Sequence, residues 1–202
     1  DWMDNGKEIT ISCGYEGNVE EVFKGIVWKH RILVKNNQSV LQVEARDKSV
    51  LLTMSENNKV FEEMNDGDII EELATGASQT IDISADFSFV HEKMVQYGSS
   101  DWDFIISRAE ANAVLIRTEN NTLEVFKPDT SQEPKIDLVL GATILELDTE
   151  LSSENQFPEV EKIGWSFENQ EAIIETPTNS FNQDGSLDSD TIANNIGSLK
   201  SR

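Results

Sequence analysis

At 202 residues, with 38% hydrophobic and 7% aromatic side chains, the chain has material for one large domain or two small ones around a lean core. Its 38 acidic residues against 16 basic ones give a formal net charge of −22, which argues against general attraction to nucleic acid or anionic lipid. The acidic residues are spread through expected strands and turns rather than gathered in one terminal run, so they read as a solvated outer surface.

The single cysteine, Cys13, excludes an intrachain disulfide and a cysteine-based metal site. It shares a strand face with Ile9 and Ile11 and is expected to be a small core residue. No apolar run reaches the roughly 18 residues needed to span a bilayer. The start, Asp1-Trp-Met-Asp, has neither the basic nor the apolar part of a signal peptide. With no initiator methionine and a polar end, the sequence reads as a piece of a longer chain.

In chain order, residues 7–13 alternate and predict a strand. Gly14 to Asn18 supplies a turn. Residues 22–34 form a long β-rich stretch that includes Trp28, and Gly25 within it suggests a bulge or bend. After the turn Lys35-Asn-Asn-Gln38, residues 40–46 alternate again. Three antiparallel strands of this kind write one wall of a barrel or sandwich. Val50 to Thr53 is a short strand or a helical turn. Asn65-Asp-Gly-Asp68 introduces a helix over 69–74, ended by Gly76. Residues 79–83 read as extended, and 87–97 show no clear period.

Residues 100–113 predict a short capped helix. Ser100 can cap it, and Asp101 and Asp103 favour its first turn. Trp102, Ile105, Ile106, Ala109 and Ala113 form one apolar face. Trp102 and Ile106 are the expected buried anchors, joined by Phe104, Ile105, Trp28 and Trp165. Residues 114–118 and 122–126 predict a hairpin about Asn120-Asn121, broken by Lys127-Pro128. Strands are expected at 136–140, 142–151, 160–167 and 170–175. From Pro177 the composition suggests a linker, with one weak helix near 190–196.

The sequence offers little chemistry. His30 and His91 are far apart and lack metal-ligand spacing. Glu20-Glu21, Glu62-Glu63 and Glu71-Glu72 read as solvated faces. Asn182 to Asp190 only faintly resembles a calcium loop, because Gly185 comes early and no glutamate closes it. Phosphate-loop, dinucleotide and nucleophile-elbow motifs are missing. The densest basic cluster is Lys29-His-Arg31. The expectation is a protein that is no enzyme and needs no cofactor, metal ion or catalytic residue.

The order of local signatures adds a resemblance. Gly14-Tyr-Glu-Gly…Val22-Phe-Lys-Gly-Ile-Val27, Leu41-Gln-Val-Glu-Ala-Arg-Asp47, Asp68-Ile-Ile-Glu-Glu-Leu-Ala74, Leu123-Glu-Val-Phe-Lys-Pro128 and Ile163-Gly-Trp-Ser-Phe-Glu-Asn-Gln170 each resemble a segment of one family. Gln96-Tyr-Gly-Ser-Ser-Asp-Trp-Asp-Phe-Ile-Ile-Ser-Arg-Ala-Glu110 is the most specific. The family is the VgrG-like hub domain of type VI secretion, contractile-phage tail hubs and spike proteins of extracellular contractile injection particles.

The resemblance covers about residues 8–175 in the expected order. It implies a mainly β (α+β) fold, with two related barrel-like antiparallel β domains and a helix-containing insertion between them. The expected division is 1–50 for the first hub barrel, lacking N-terminal strands, and 51–135 for the insertion. Residues 136–175 would be the second barrel, and 176–202 a linker toward a spike module. The resemblance further implies a homotrimer that fits a hexameric tube protein above to a trimeric spike or other baseplate proteins below. The protein would be made in the cytoplasm, assembled in the baseplate and delivered outside the cell, without stable membrane insertion or nucleic-acid binding. A carbohydrate- or protein-binding β module of a surface adhesin is the alternative.

Overall fold

The computed structural model describes residues 4–15, 17–77, 79–129, 136–150, 159–176 and 200–201. It divides into two compact units, Asp1–Pro128 and Asp129–Arg202. The expected helix at 190–196, the calcium-like loop and most of the expected linker lie outside the described residues.

The first unit begins with an antiparallel sheet of β1 (Glu8–Tyr15), β2 (Asn18–Lys35) and β3 (Gln38–Arg46). The β2–β3 turn is Asn36-Asn37, with φ of 51° and 63°. Two consecutive left-handed residues make the hairpin turn whose twist matches its strands, and asparagine tolerates that conformation. The pairing slips between Ile11 and Ser12 on β1 and between Val27 and Lys29 on β2. The irregularities therefore flank Gly25. Gly25 instead marks a close approach: an added Cβ would lie 2.3 Å from the Arg46 carbonyl oxygen.

A 3-10 turn over Lys48–Thr53 leads to β4 (Glu56–Asn65) and α1 (Asp66–Ala74), then to β5 (Thr80–Ile83) and β6 (Val90–Ser100). Helix α2 (Asp101–Ala111) precedes the hairpin β7 (Leu115–Glu119) and β8 (Thr122–Phe126). β4 pairs antiparallel with β6, while β8 lies between antiparallel β7 and parallel β5. β4 and β6 were not expected from sequence. Their polar residues give no alternation, and they satisfy their backbones against each other.

Both helices start on side-chain caps. Asn65 Oδ1 accepts from the Asp68 amide at 2.9 Å, and Ser100 Oγ accepts from the Asp103 amide at 3.0 Å. Ser100 Oγ also donates to Asp103 Oδ2 at 2.8 Å, which makes the cap reciprocal. α2 ends at Ala111, two residues earlier than its apolar pattern suggests, because Ala113 turns left-handed at φ 52°.

The core lies among these later elements. Leu52, Phe61, Ile69, Ile70, Leu73, Ile105, Ala109, Leu123 and Val125 form its buried cluster. Full burial of a side chain such as Phe61 or Ile105 contributes roughly 1.5–3 kcal/mol. The Phe61 and Phe104 rings stack at 5.9 Å between centroids, tying β4 to α2.

The second unit contains the antiparallel ribbon β10 (Lys162–Ser166) and β11 (Glu171–Glu175), and a parallel pair of β9 (Glu159–Val160) with β12 (Lys200–Ser201). The strands expected at 136–140 and in the first part of 142–151 are replaced by a turn. The amides of Ala142, Thr143 and Ile144 all approach the Val139 carbonyl at 2.9–3.1 Å. Alternation predicts a strand only where another strand accepts it, and none does so for 136–150 among the described residues. The mainly β, α+β class is as expected. Among the described residues, no sheet closes into a barrel.

Candidate functional site

Among the described residues, no group of three or more His, Cys, Asp or Glu side chains could hold a metal ion. His30 is exposed, and its Nδ1 lies 3.0 Å from Asn5 Oδ1. His91 belongs to a compact charged cluster at the start of α1. Its Nε2 is 3.1 Å from Asp66 Oδ1, Arg108 Nε is 3.7 Å from the same oxygen, and Asn112 Nδ2 donates to Asp66 Oδ2 at 2.8 Å. Asp66 sits in the first turn of α1, where negative charge is favoured. The cluster joins α1, β6 and α2 from the inside, which suits a structural role.

A second polar node ties the N-terminal sheet to the core. Asp47 Oδ1 accepts from the Ser49 amide at 2.9 Å, and Asp47 Oδ2 accepts from the Asn121 amide at 2.8 Å. In return, Asn121 Oδ1 accepts from the Lys48 amide at 3.2 Å, and Asn120 Oδ1 from the Lys24 amide at 3.0 Å. Asn120 and Asn121 thus do more than close the β7–β8 turn, where their φ values are 51° and 61°. The sequence signalled the turn; it gave no sign that both amides reach across to residues 73 and more positions away.

The feature that invites a partner is the outer part of the β1–β3 sheet. Register places Lys29, Arg31, Leu33 and Lys35 on one face, opposite Glu44, Gln42, Val40 and Gln38. The other face carries His30, Ile32 and Val34 opposite Val43, Leu41 and Ser39. Ile32 is 67% exposed and Val34 73%. A hollow of about 530 Å³ lies against Leu33, Val34, Lys35, Asn36, Gln38 and Val40. Apolar side chains left in water on both faces of one hairpin make it the candidate interaction surface among the described residues. The expectation for Cys13 is overturned here. The residue is exposed, because β1 is an edge strand whose outer half has nothing packed on it among the described residues.

The expected anchors take different positions. Ile105 is fully buried, whereas Trp102, Phe104 and Ile106 are partly buried. Trp102 and Phe104 pack against the core cluster. Trp28, at the β2 irregularity, is partly buried beneath the Arg46 guanidinium at 5.6 Å. Trp165 stands in β10 and is 54% exposed, with Ile163 and Ile174 on the same face of the ribbon.

This arrangement, an open sheet beside a helix-bearing β core, is a fold of bacteriophage tail proteins. It is similar to the 43 kDa tail protein of prophage MuSo2 from Shewanella oneidensis, at 14% identity and a TM-score of 0.59, over 78% of this chain and 49% of that one. It is also similar to a tail protein from Neisseria meningitidis MC58, at 20% identity and a TM-score of 0.60, over 75% and 51%. An E. coli component of the type VI secretion system, described as structurally similar to the T4 bacteriophage tail proteins gp27 and gp5, gives 15% identity and a TM-score of 0.51, over 86% and 52%. The chain spans about half the length of each of these structures. No curated protein matches it by sequence. Residues 1–202 match the model of the Alg8 N-terminal domain, and the chain belongs to that family. No helix among the described residues is long and apolar enough to cross a membrane.

Proposed function

We propose that this chain is a structural hub or spike-base part of a contractile injection machine, of the phage-tail, type VI secretion or related kind. It acts by assembly rather than catalysis. As a homotrimer it adapts a hexameric tube above to a trimeric spike or other baseplate proteins below, and it is delivered outside the cell with them. The observation that carries the reading is the likeness of its fold to two phage tail proteins and a type VI secretion component. The exposed hairpin of β2 and β3 supports it, since an assembly protein must keep apolar surface available for its neighbours. Light scattering on the full-length protein tests the proposal. A mass of three chains supports it, and a stable monomer with its spike module intact overturns it.

A further inference from the structure

We infer that the Lys29–Arg31–Lys35 face of the β2–β3 hairpin is where a second copy of this chain docks an acidic surface. The inference rests on the assembly reading above and names the contact through which copies meet.

Two chains that each carry a formal charge of −22 repel one another, so a surface that escapes the acidic excess is the favoured place for them to meet. The sequence contains one. Residues 1–48 hold seven basic and eight acidic side chains, whereas residues 49–202 hold nine basic and 30 acidic. Within the N-terminal part, strand alternation gathers Lys29, Arg31 and Lys35 on one face. All three are exposed, and no ion pair among the described residues engages them. Outside β2, the basic side chains Lys7, Arg46, Lys48, Lys59, Lys93, Arg108 and Arg117 are each paired with a carboxylate.

The same face supplies apolar contact. Leu33 and Val40 sit between the cations at 37% and 55% exposure and border the hollow at the hairpin end. An approaching acidic surface would find positive charge to orient it and apolar area to bury. Residues 49–202 of a second copy, with nine basic and 30 acidic side chains, carry that complementary charge. A contact between two different surfaces of one chain is heterologous, the type that closes rings.

The test reverses the face in the full-length chain with K29E/R31E/K35E and measures association by light scattering over a concentration series. Circular dichroism checks that the exposed substitutions leave the fold intact. A control variant, K93E/K127E/K162E, makes the same change in net charge elsewhere. The proposal expects the hairpin variant to raise the dissociation constant at least ~100-fold, and the control, which lies in the acidic segment, to raise it by less than about fivefold, because like charges facing each other in an interface cost several kcal/mol. L33S/V40S, which keeps the charges, should weaken association by roughly tenfold or more. A wild-type oligomer that K29E/R31E/K35E leaves intact, or that the control weakens equally, overturns the inference while the assembly reading stands. A wild type that stays monomeric at every concentration overturns both.

Discussion

The core formed between residues 52 and 125 and the β1–β3 sheet belong to one compact unit, yet they place their apolar side chains on opposite terms. In the core, short elements enclose Phe61, Ile69, Ile70, Ile105, Leu123 and Val125 almost completely. In the sheet, burial is limited to Ile26 and Val27, while Val19, Val22, Ile32, Val34 and Val40 are each more than half exposed. Composition does not separate the two, since both are rich in Val, Ile and Leu. What separates them is coverage. The core strands pack on α1 and α2, and the outer hairpin has no layer against either face among the described residues. One region is enclosed by its own elements, and the other leaves its apolar side chains exposed among the described residues.

The contrast breaks down first if truncations in the two regions cost the same. Phe61→Ala should destabilise the protein by about 3–5 kcal/mol, because it leaves a cavity beside Phe104 in a closed cluster. Ile32→Ala and Val34→Ala, in the exposed hairpin, should change stability by less than about 0.5 kcal/mol. Urea unfolding followed by circular dichroism measures both. Trp102→Ala should fall between them, since its ring is only partly buried.

The same contrast explains what could be read from the sequence. The β1–β3 strands, the cap at Ser100 and both Asn-Asn turns were legible because each rests on local pattern or on one residue's conformational preference, whereas α1 starts at Asp66 rather than at the expected Ile69, with Asn65 as its cap. β4 and β6 were not legible. Their order comes from pairing with each other between residues 25 to 44 positions apart, and along β6 the wholly buried side chain is Gln96 rather than an apolar one. The converse failure occurred at 136–150, where Ile136, Leu138 and Leu140 alternate without a pairing strand among the described residues. Cys13 was misplaced for a related reason, since alternation assigns a residue to a face and says nothing about whether that face is covered. Along α2 Ile105 is fully buried, whereas Ile106, which shares the expected apolar face, is only partly buried. The Asp47–Asn121 node left no local trace, because its partners meet only in the folded chain.

Next in size is the junction between the regions. Gly25→Ala places a methyl group against the Arg46 carbonyl and should cost about 1–3 kcal/mol through separation of β2 from β3. Asp47→Ala should cost about 2 kcal/mol, because it leaves the Ser49 and Asn121 amides without their acceptor. In hydrogen exchange, Asp47→Ala should loosen the β1–β3 amides more than those of α1 and α2. Equal loss of protection in both regions would mean that sheet and core open as one unit. A smaller effect of opposite sign is expected at Ala113, whose left-handed φ of 52° ends α2. Ala113→Gly should raise stability by up to about 1 kcal/mol, read as a higher urea midpoint.

The smallest effect belongs to the ion pair between Glu8 on β1 and Lys48 in the 3-10 turn, which also crosses from sheet to core. The Lys48 ammonium, by hydrogen bond and then by charge, holds the Glu8 carboxyl below its ordinary value of 4.5. A carboxyl whose folded value is depressed adds stability above its unfolded value, and that contribution is lost as pH falls through the folded value. Both side chains remain in contact with water, so screening keeps the effect small. Glu8→Gln should therefore leave stability nearly unchanged in acid and slightly reduced at neutral pH. The difference between wild type and variant should grow as pH rises through the range just below 4.5, and 0.5 M salt should shrink it. Urea midpoints for both proteins across that pH range measure it. A difference independent of pH would place the role of Glu8 in the packing of its side chain on the turn, and the charge would then contribute nothing to holding the open sheet against the closed core.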